Sequence, residues 1–587
     1  MTITDNLLFQ VLYIDLNKFK YWVESKPELF EEYIGGTGVA IQLLTEECPK
    51  NADPLGPENV IVFAIGPLTV VYPLASKTVA LFKSPLTGNL GESHAGGRSA
   101  MAIRMAGYGA IVIKGASEVP IILDIRRDKV EFHDASALWG MHSTYTVGRI
   151  VREKFGIPGF RTIMRIGRAG EKLIRYASVV TETYRHFGRL GLGAVLGSKK
   201  IKAIIITGKR NINIANPKEY RELYAEIYNA AVKSPVMKKY HDLGTPANVI
   251  PLNEIKALPT RNLTSSYFEG AETISGEYLA EHFLGRRVAC AHCPVGCIHL
   301  AALREPYEDE PYFYKTKMIS YDYELIYSLG SMLGISNSQG LLKLIDEIET
   351  EGLDAMSTGV VLAWATEAYH KGLISENETM GLKLTWGDYK TYIKAIKYLI
   401  RQPNEFYKTL ALGSEAAAKK YGGLDFALSF GGNEMPGYHT GPAAHIGHLL
   451  GSRHSHLDMG GYSLDQKLLK TGEQLPPEEI AKRLLSEEEW RQILSSLVVC
   501  FFARGIYTPE ITAKTLKTFG YNLTEEDLKE IGRKIHREKY KFKIREGFDP
   551  HKLRIPERIF ETPTSHGKID KKMFLEIVEH ILKLINI

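Results

Sequence analysis

Three cysteines crowd into eight residues, Cys290-Ala-His-Cys293-Pro-Val-Gly-Cys297, in a chain that holds only five. Thiolates spaced C-x2-C-x3-C are soft ligands, and the occupants they suit are an iron–sulfur cluster or zinc. A four-ligand site needs one more group, and the candidates are Cys48, Cys500, His292 and His299. Cys500 closes the apolar run Leu494-Ser-Ser-Leu-Val-Val-Cys500, which should turn its thiol inward; as fourth ligand it would tie together segments about two hundred residues apart. A zinc knuckle completed by His299 or Cys500 fits the same spacing. A disulfide pair fits poorly, because the count is odd and the chain is not a small secreted one.

A chain of 587 residues exceeds one hydrophobic core and suggests roughly three to four domains. Hydrophobic content of 44% and charged content of 24% are those of a globular protein. A net charge of +5 gives no warrant for nucleic-acid binding and allows at most a basic patch for an acidic partner. The opening Met1-Thr-Ile-Thr-Asp-Asn lacks a secretory pattern. The longest apolar window, residues 60–82, is broken by Gly66-Pro67, Pro73 and Ser76-Lys77, which suits buried strands and not a membrane span. A cytoplasmic setting follows, in which free thiolates persist and hold metal.

The elements that must position these thiols change character along the chain. Residues 1–210 alternate short β-branched runs with glycine-rich turns, and strands are expected at 11–15, 60–65, 78–82, 110–114, 120–124 and 203–207. From Asn216-Pro217, an N-cap followed by proline, the pattern becomes helical. Apolar spacing predicts helices at 218–232, 341–348, 360–369, 389–400 and 481–500; Thr524-Glu-Glu-Asp527 opens another with a capping box, and residues 571–587 form a docked terminal helix. Strands first and helices later give an α+β class: a β-rich base at 1–210, a helical domain at 211–420 with the cysteine motif, and a helical domain at 421–587 with Cys500.

The glycine motifs separate by chemistry. Gly188-Arg-Leu-Gly191-Leu-Gly193 has the wrong order and setting for a dinucleotide loop, and no Walker A sequence occurs. The stretch Lys83 to Arg98, rich in glycine, could hold a phosphate-rich ligand on its backbone amides and two cations, or could be a set of tight turns.

Together these motifs resemble the aldehyde:ferredoxin oxidoreductases, tungsten enzymes with a bis-pyranopterin cofactor and one [4Fe–4S] cluster. The resemblance runs over essentially the whole chain. It includes Gly35-Gly-Thr-Gly38, Gly66-Pro-Leu-Thr69, Ser84-Pro-Leu-Thr-Gly88, Arg165-Ile-Gly-Arg-Ala-Gly-Glu171, Gly193-Ala-Val-Leu-Gly-Ser-Lys-Lys200, Leu258-Pro-Thr-Arg-Asn262, the cysteine motif, Gly352-Leu-Asp-Ala-Met-Ser-Thr-Gly359 and Arg545-Glu-Gly547. It favours iron–sulfur over zinc and implies Cys290, Cys293, Cys297 and Cys500 as cluster ligands, with Cys48 a structural thiol.

The resemblance also implies that the pterins lie on the β-rich base beneath the helical domains. Their contacts would come from Lys77, Ser93, His94, Ala95, Gly96, Arg185, His186 and Gly188, with main-chain carbonyls at His94 and His186 near a Mg2+ ion bridging the pterin phosphates. Lys77 stands where arginine is usual and loses the bidentate fork. One pterin motif appears as Glu349-Thr-Glu-Gly352-Leu353-Asp354, the other as Ser495-Ser-Leu-Val-Val499-Cys500 with a carboxylate lost. That pterin would be held with fewer charge-assisted contacts, as in a divergent member.

For the reaction, the resemblance places the catalytic glutamate at Glu324 and a histidine at His456 or His454, with His456 favoured and His448 structural. Glu324 would take a proton from the attacking water while the histidine steadies the oxyanion. The implied activity is oxidation of aldehydes to acids with electrons passed to ferredoxin. Molybdenum in place of tungsten, a polyferredoxin-like small subunit and a homodimer all occur within this reading, and the altered pterin motifs favour a partner subunit. Lys, Glu and Ile content fits an anaerobic thermophile. Two rivals share the residues: a catalytic subunit like that of class II benzoyl-CoA reductase, acting on an aromatic thioester, and a zinc-stabilised binding protein with no cofactor.

Overall fold

The computed structural model describes residues 8–586 apart from 183, 213, 215 and 308, so the reading of residues 1–6 lies outside the described residues. The β-rich segment builds two six-stranded sheets. The first runs Lys20–Ser25, Gln10–Asp15, Ala110–Lys114, Ile61–Ala64, Thr78–Lys83, Leu90–Ala95, and the second holds Arg161–Arg165 and Ile201–Thr207 at its centre. All six expected strands are present. Their buried faces are nearly continuous runs of Val, Ile and Leu, as sheets covered on both sides require.

The stretch from Lys83 to Arg98 is not one continuous loop. Leu90–Ala95 is a buried strand paired antiparallel with Thr78–Lys83. Its glycine serves packing, since a Cβ on Gly91 would lie 2.6 Å from the Phe82 ring. Lys83 pairs with Glu546 at 2.5 Å, and Arg98 donates to the Gly159 carbonyl, so the two expected phosphate cations serve the scaffold.

Beyond residue 210 the chain is mainly helical. Asn216 caps Pro217–Lys233, and Thr524 and Asp527 close both halves of the capping box on Glu525–Arg545. Lys571–Ile585 buries Phe574, Ile577, Ile581 and Ile585. Two features depart from expectation. Leu284–Val288, Ile298–Pro306 and Tyr314–Tyr321 form an antiparallel sheet within the first helical segment. The helix expected to reach Cys500 is Pro477–Ser496, and Val498, at φ 55°, turns the chain out of it.

That long helix docks onto the sheets. Ile493, Leu494, Leu497 and Val499 share one core with the N-terminal strands. The approach is close enough to need glycine: a Cβ on Gly36 would lie 2.2 Å from the Ser495 carbonyl oxygen.

A buried charge network clamps the helical segments together. Arg558 holds Glu367 through both nitrogens, at 2.6 and 3.2 Å, and Asn262 donates to the same carboxylate at 2.7 Å. Replacing Arg558 with Ala leaves the buried Glu367 with only the half-exposed Lys371, 3.1 Å away, as its cation, so a stability loss toward the lower end of about 3–5 kcal/mol is expected in denaturant unfolding. The double change R558M/E367Q should recover part of that loss, because no bare charge remains.

Candidate functional site

The cysteine motif is the connection of a hairpin whose strands pair Val288 with Ile298. Cys500 reaches it through backbone: Leu74 donates to the His292 carbonyl at 3.1 Å, and the Leu74 carbonyl accepts from the Cys500 amide at 2.8 Å. Ala291 is fixed to the Gly97 carbonyl at 2.8 Å. All four thiols then line one cavity of about 580 Å³, between the β-rich base and the helices. Cys48 lies elsewhere in the N-terminal core. Neither histidine completes the set, for His299 faces the Cys297 and His241 carbonyls and His292 packs against Tyr224.

The spacing of the thiols bears on their occupant. Among the described residues, the groups of three or more possible ligands converging within 4.8 Å are Asp124 with Glu131 and His133, and His142 with Glu347 and Glu351. The cysteines form no such group. Zinc–sulfur bonds of ~2.3 Å would bring tetrahedral sulfurs to within about 4 Å of one another. The wider arrangement fits a cluster in which each thiolate binds a different iron.

Electrostatics around the thiols are split. Burial pushes Cys293 up to about 12, and burial together with the neighbouring thiols raises Cys297. Cys290 falls below the ordinary thiol value, because Arg185 and Lys77 outweigh its burial. Arg185 also lies 3.5 Å from the Cys297 sulfur. Gly96 gives the group room: a Cβ there would sit 2.8 Å from the Cys290 sulfur.

The same cavity extends over the first sheet. Lys77, Ser93, His94, Gly96, Arg185, His186, Gly188, Glu349, Leu353, Asp354 and Val499 line it. Ala95 does not. Gly352, with φ 75°, caps the helix Ser338–Glu351 and packs on the Gly167 backbone, and Ser495 turns its carbonyl toward Gly36. Glu349 pairs with His186 at 2.6 Å, and Asp354 caps the helix Ala355–His370 while accepting from Ser357 at 2.6 Å. His94 is tethered to Glu92 at 2.6 Å, behind which Lys539 closes to 2.5 Å. Burial alone would raise Glu92, yet Lys539 and His94 hold it well below the usual carboxylate range.

Several lining residues were not visible in the sequence. Arg189 donates to Asp354 at 3.2 Å and to the Glu434 carbonyl at 2.7 Å. Its Nη1, like the Nε of Arg185, is a buried donor with no protein partner. Such orphaned cationic donors beside a glycine-floored cavity fit a large anionic group such as a pterin phosphate.

At the helical end stands Glu324, in the first turn of Tyr323–Leu329, whose N-cap Asp322 accepts from the Glu324 and Leu325 amides. Tyr438 donates to its Oε1 at 3.0 Å, and His456 Nε2 lies 3.3 Å from the same oxygen. Glu324 Oε2 and His456 Nδ1 are buried without protein partners. Burial, helped by Asp322, raises the Glu324 carboxyl to about 8, whereas burial drives His456 well below its ordinary value and keeps the imidazole neutral.

The histidine is fixed by its own turn. Ser455 and Asp458 form a capping box on His456–Met459, and Asp458 accepts from Arg453 Nε at 2.6 Å. Tyr438 is positioned by Tyr323 and Tyr327, whose hydroxyls donate to the Gly437 and Met435 carbonyls. His454 belongs to the scaffold: its Nδ1 faces the His448 and Leu449 carbonyls, its Nε2 faces Lys543 at 3.2 Å, and it does not line the cavity. His448 is fully buried beside Phe430 and His445.

The chain is similar to known proteins over nearly its whole length. Residues 11–208 match the family model for the aldehyde ferredoxin oxidoreductase N-terminal domain, and residues 222–584 match that for domains 2 and 3. The chain is 32% identical over 562 residues to the tungsten-containing aldehyde ferredoxin oxidoreductase of Thermococcus kodakarensis, covering 93% of this chain and 90% of the relative. It is 30% identical over 559 residues to the enzyme of the same name from Pyrococcus furiosus, again with 93% and 90% covered. Among solved structures, the active-site complex BamBC of benzoyl coenzyme A reductase with 1,5-dienoyl-CoA superposes with a TM-score of 0.81 at 21% identity, covering 99% of this chain and 94% of that one, which shows a common fold. No helix among the described residues is long and apolar enough to cross a membrane.

Proposed function

The chain belongs to the aldehyde ferredoxin oxidoreductase family, as a divergent member, and on that footing we propose that it oxidises aldehydes to carboxylic acids, takes the added oxygen from water and passes the electrons to a ferredoxin. The observation that carries this reading is the Glu324 carboxylate, shared by Tyr438 and His456, in the cavity that the four thiols also line. When bound, a tungsten bis-pyranopterin, or its molybdenum counterpart, would supply the two-electron oxidation, and a [4Fe–4S] cluster the one-electron steps to ferredoxin. Cys290, Cys293, Cys297 and Cys500 would hold the cluster. Lys77, Arg185, Arg189, Glu349 and Asp354 would hold the pterins, with the His94 and His186 carbonyls toward a Mg2+ ion on their phosphates.

The protein's own part is proton work and orientation. Conversion of an aldehyde and water to an acid releases two electrons and two protons. Glu324 accepts a proton from the attacking water at Oε2, the oxygen that no protein group occupies. His456 Nε2 and the Tyr438 hydroxyl hold the other oxygen, so the carboxylate keeps one orientation. Tyr462, 4.5 Å from the Tyr438 ring, continues an aromatic wall beside Glu324 and His456.

A base must be deprotonated to act. With the Glu324 carboxyl raised to about 8, the active fraction grows as pH rises through that value. Turnover is expected to climb with pH along a limb near 8, and the Glu324→Gln variant should lack this limb. The proposal itself is tested by metal analysis of anaerobically purified protein with a viologen- or ferredoxin-linked assay over an aldehyde panel. Protein carrying neither tungsten nor molybdenum, or metal-replete protein inert to every aldehyde yet active on an aromatic CoA thioester, would overturn it.

A further inference from the structure

Behind Glu349, the helix Thr144–Lys154 and the strand Arg161–Arg165 enclose a second cavity, of about 280 Å³. Among the described residues, Glu349 alone lines both this space and the large cavity. At its base lies Arg165, only 5% exposed. Its Nε donates to the Thr144 carbonyl at 2.6 Å, but its Nη1 is buried with no partner among the described residues. The guanidinium fits under the helix because residue 148 is glycine: a Cβ there would lie 2.6 Å from the Arg165 Nε.

Other donors converge on the same space. The Tyr145 hydroxyl is buried without a partner among the described residues. Arg149 and Arg152 also line the cavity and, with Tyr145, recur at the three- and four-residue spacing of one helix face. Both arginines are exposed, so they stand at the mouth while Arg165 stands at the base.

Two acids on the wall lie within electrostatic reach of Arg165 but make no ion-pair contact with it among the described residues. Glu182 accepts from Thr162 Oγ1 at 3.0 Å and the Ile163 amide at 2.9 Å, and burial raises its carboxyl. Glu349 is engaged by His186. Among the described residues, no carboxylate forms an ion pair with Arg149, Arg152 or Arg165. A buried guanidinium with a free N–H, a phenol aimed at the same space and two cations at the mouth form a cradle for a multivalent oxyanion.

We propose that this cavity binds a phosphate group, carried by a small phosphate monoester or present as inorganic phosphate, at a site separate from the redox centre. Arg165 and Tyr145 would donate to the phosphate oxygens at the base, and Arg149 and Arg152 would close over the anion. The volume leaves room for a short polar body beyond the phosphate itself. The site stands on its own donors and does not depend on the aldehyde reading.

Isothermal titration calorimetry on the anaerobic holoenzyme in phosphate-free buffer tests this, with inorganic phosphate, ribose 5-phosphate and unphosphorylated ribose as probes. Saturable binding of a phosphorylated probe and none of ribose is expected. Tighter binding of ribose 5-phosphate identifies a monoester as the source, and equal or tighter binding of phosphate identifies the free ion. Arg165→Gln should weaken the binding by at least about tenfold, the loss of one charge-assisted contact. Arg152→Gln, an exposed change that leaves thermal unfolding untouched, should weaken it several-fold. Absence of saturable binding by both phosphorylated probes, or affinity unchanged in both variants, overturns the proposal.

Discussion

Replacing Glu324 with Gln is expected to lower aldehyde turnover by roughly 10²- to 10⁴-fold, the range that a positioned general base contributes. The amide keeps the size of the carboxylate and can still accept from Tyr438, so the aromatic wall and the His456 turn remain in place. It cannot take a proton. Tungsten and iron content should therefore match the wild type while turnover falls. Stability should move the other way. The folded carboxyl titrates at about 8 and the unfolded one near 4.5, so within that window the folded state holds a proton that the unfolded chain has released. Glu324 thus costs stability progressively as pH rises from the lower value to the upper, and the Gln variant escapes that cost. At pH 8 the variant should unfold at a higher temperature than the parent. A variant with near-normal turnover and full metal content would remove Glu324 from the chemistry.

The chain shows in its spacing those features whose physical signal is local. Three cysteines in eight residues mark a candidate ligand loop whatever the fold, and Asn216-Pro217 and Thr524-Glu-Glu-Asp527 declare helix starts because capping is a contact within one turn. Leu90–Ala95 hid as a strand because it carries Gly91, packed on Phe82, and Glu92, Ser93 and His94, which serve the cavity and the Lys539 contact at the cost of β-propensity. The sheet carrying the cysteine hairpin left no clearer trace: Tyr314-Lys-Thr-Lys-Met-Ile-Ser-Tyr321 groups its polar and apolar residues in runs, so no period of two marks it as a strand.

Within the site, Glu324 and His456 entered by resemblance, and the geometry separates His456 from its neighbour. His454 and His456 are two residues apart, yet one faces backbone carbonyls and Lys543 while the other faces Glu324. Nothing in a linear pattern distinguishes them, since the difference comes from the Ser455 cap and the φ of 53° at His454. Tyr438 and Arg189 were invisible for a related reason. Their partners, Glu324 and Asp354, lie more than a hundred residues away in the chain. Only tertiary contact reveals them.

Removal of the Cys500 thiol is the second change with a large expected effect. Cys500→Ala takes away the one candidate ligand that is not in the hairpin connection, and three thiolates from one loop leave an iron corner open to solvent. The surrounding backbone should hold, since the amide of residue 500 still donates to Leu74 and the helix Pro477–Ser496 ends before it. The purified variant is expected to lose most of its iron and the visible absorption and reduced-state electron paramagnetic signal of a [4Fe–4S] centre. It should lose ferredoxin-linked turnover with them, while far-ultraviolet circular dichroism stays that of the parent. Cys48→Ala supplies the contrast. That thiol is buried in the N-terminal core, raised by its burial and remote from the cavity lining, so iron content and turnover should be unchanged and the price should fall on stability alone. If Cys500→Ala retains a full complement of iron and the signal, the fourth corner is held by another group, and the link between the hairpin and the end of the long helix is packing without coordination.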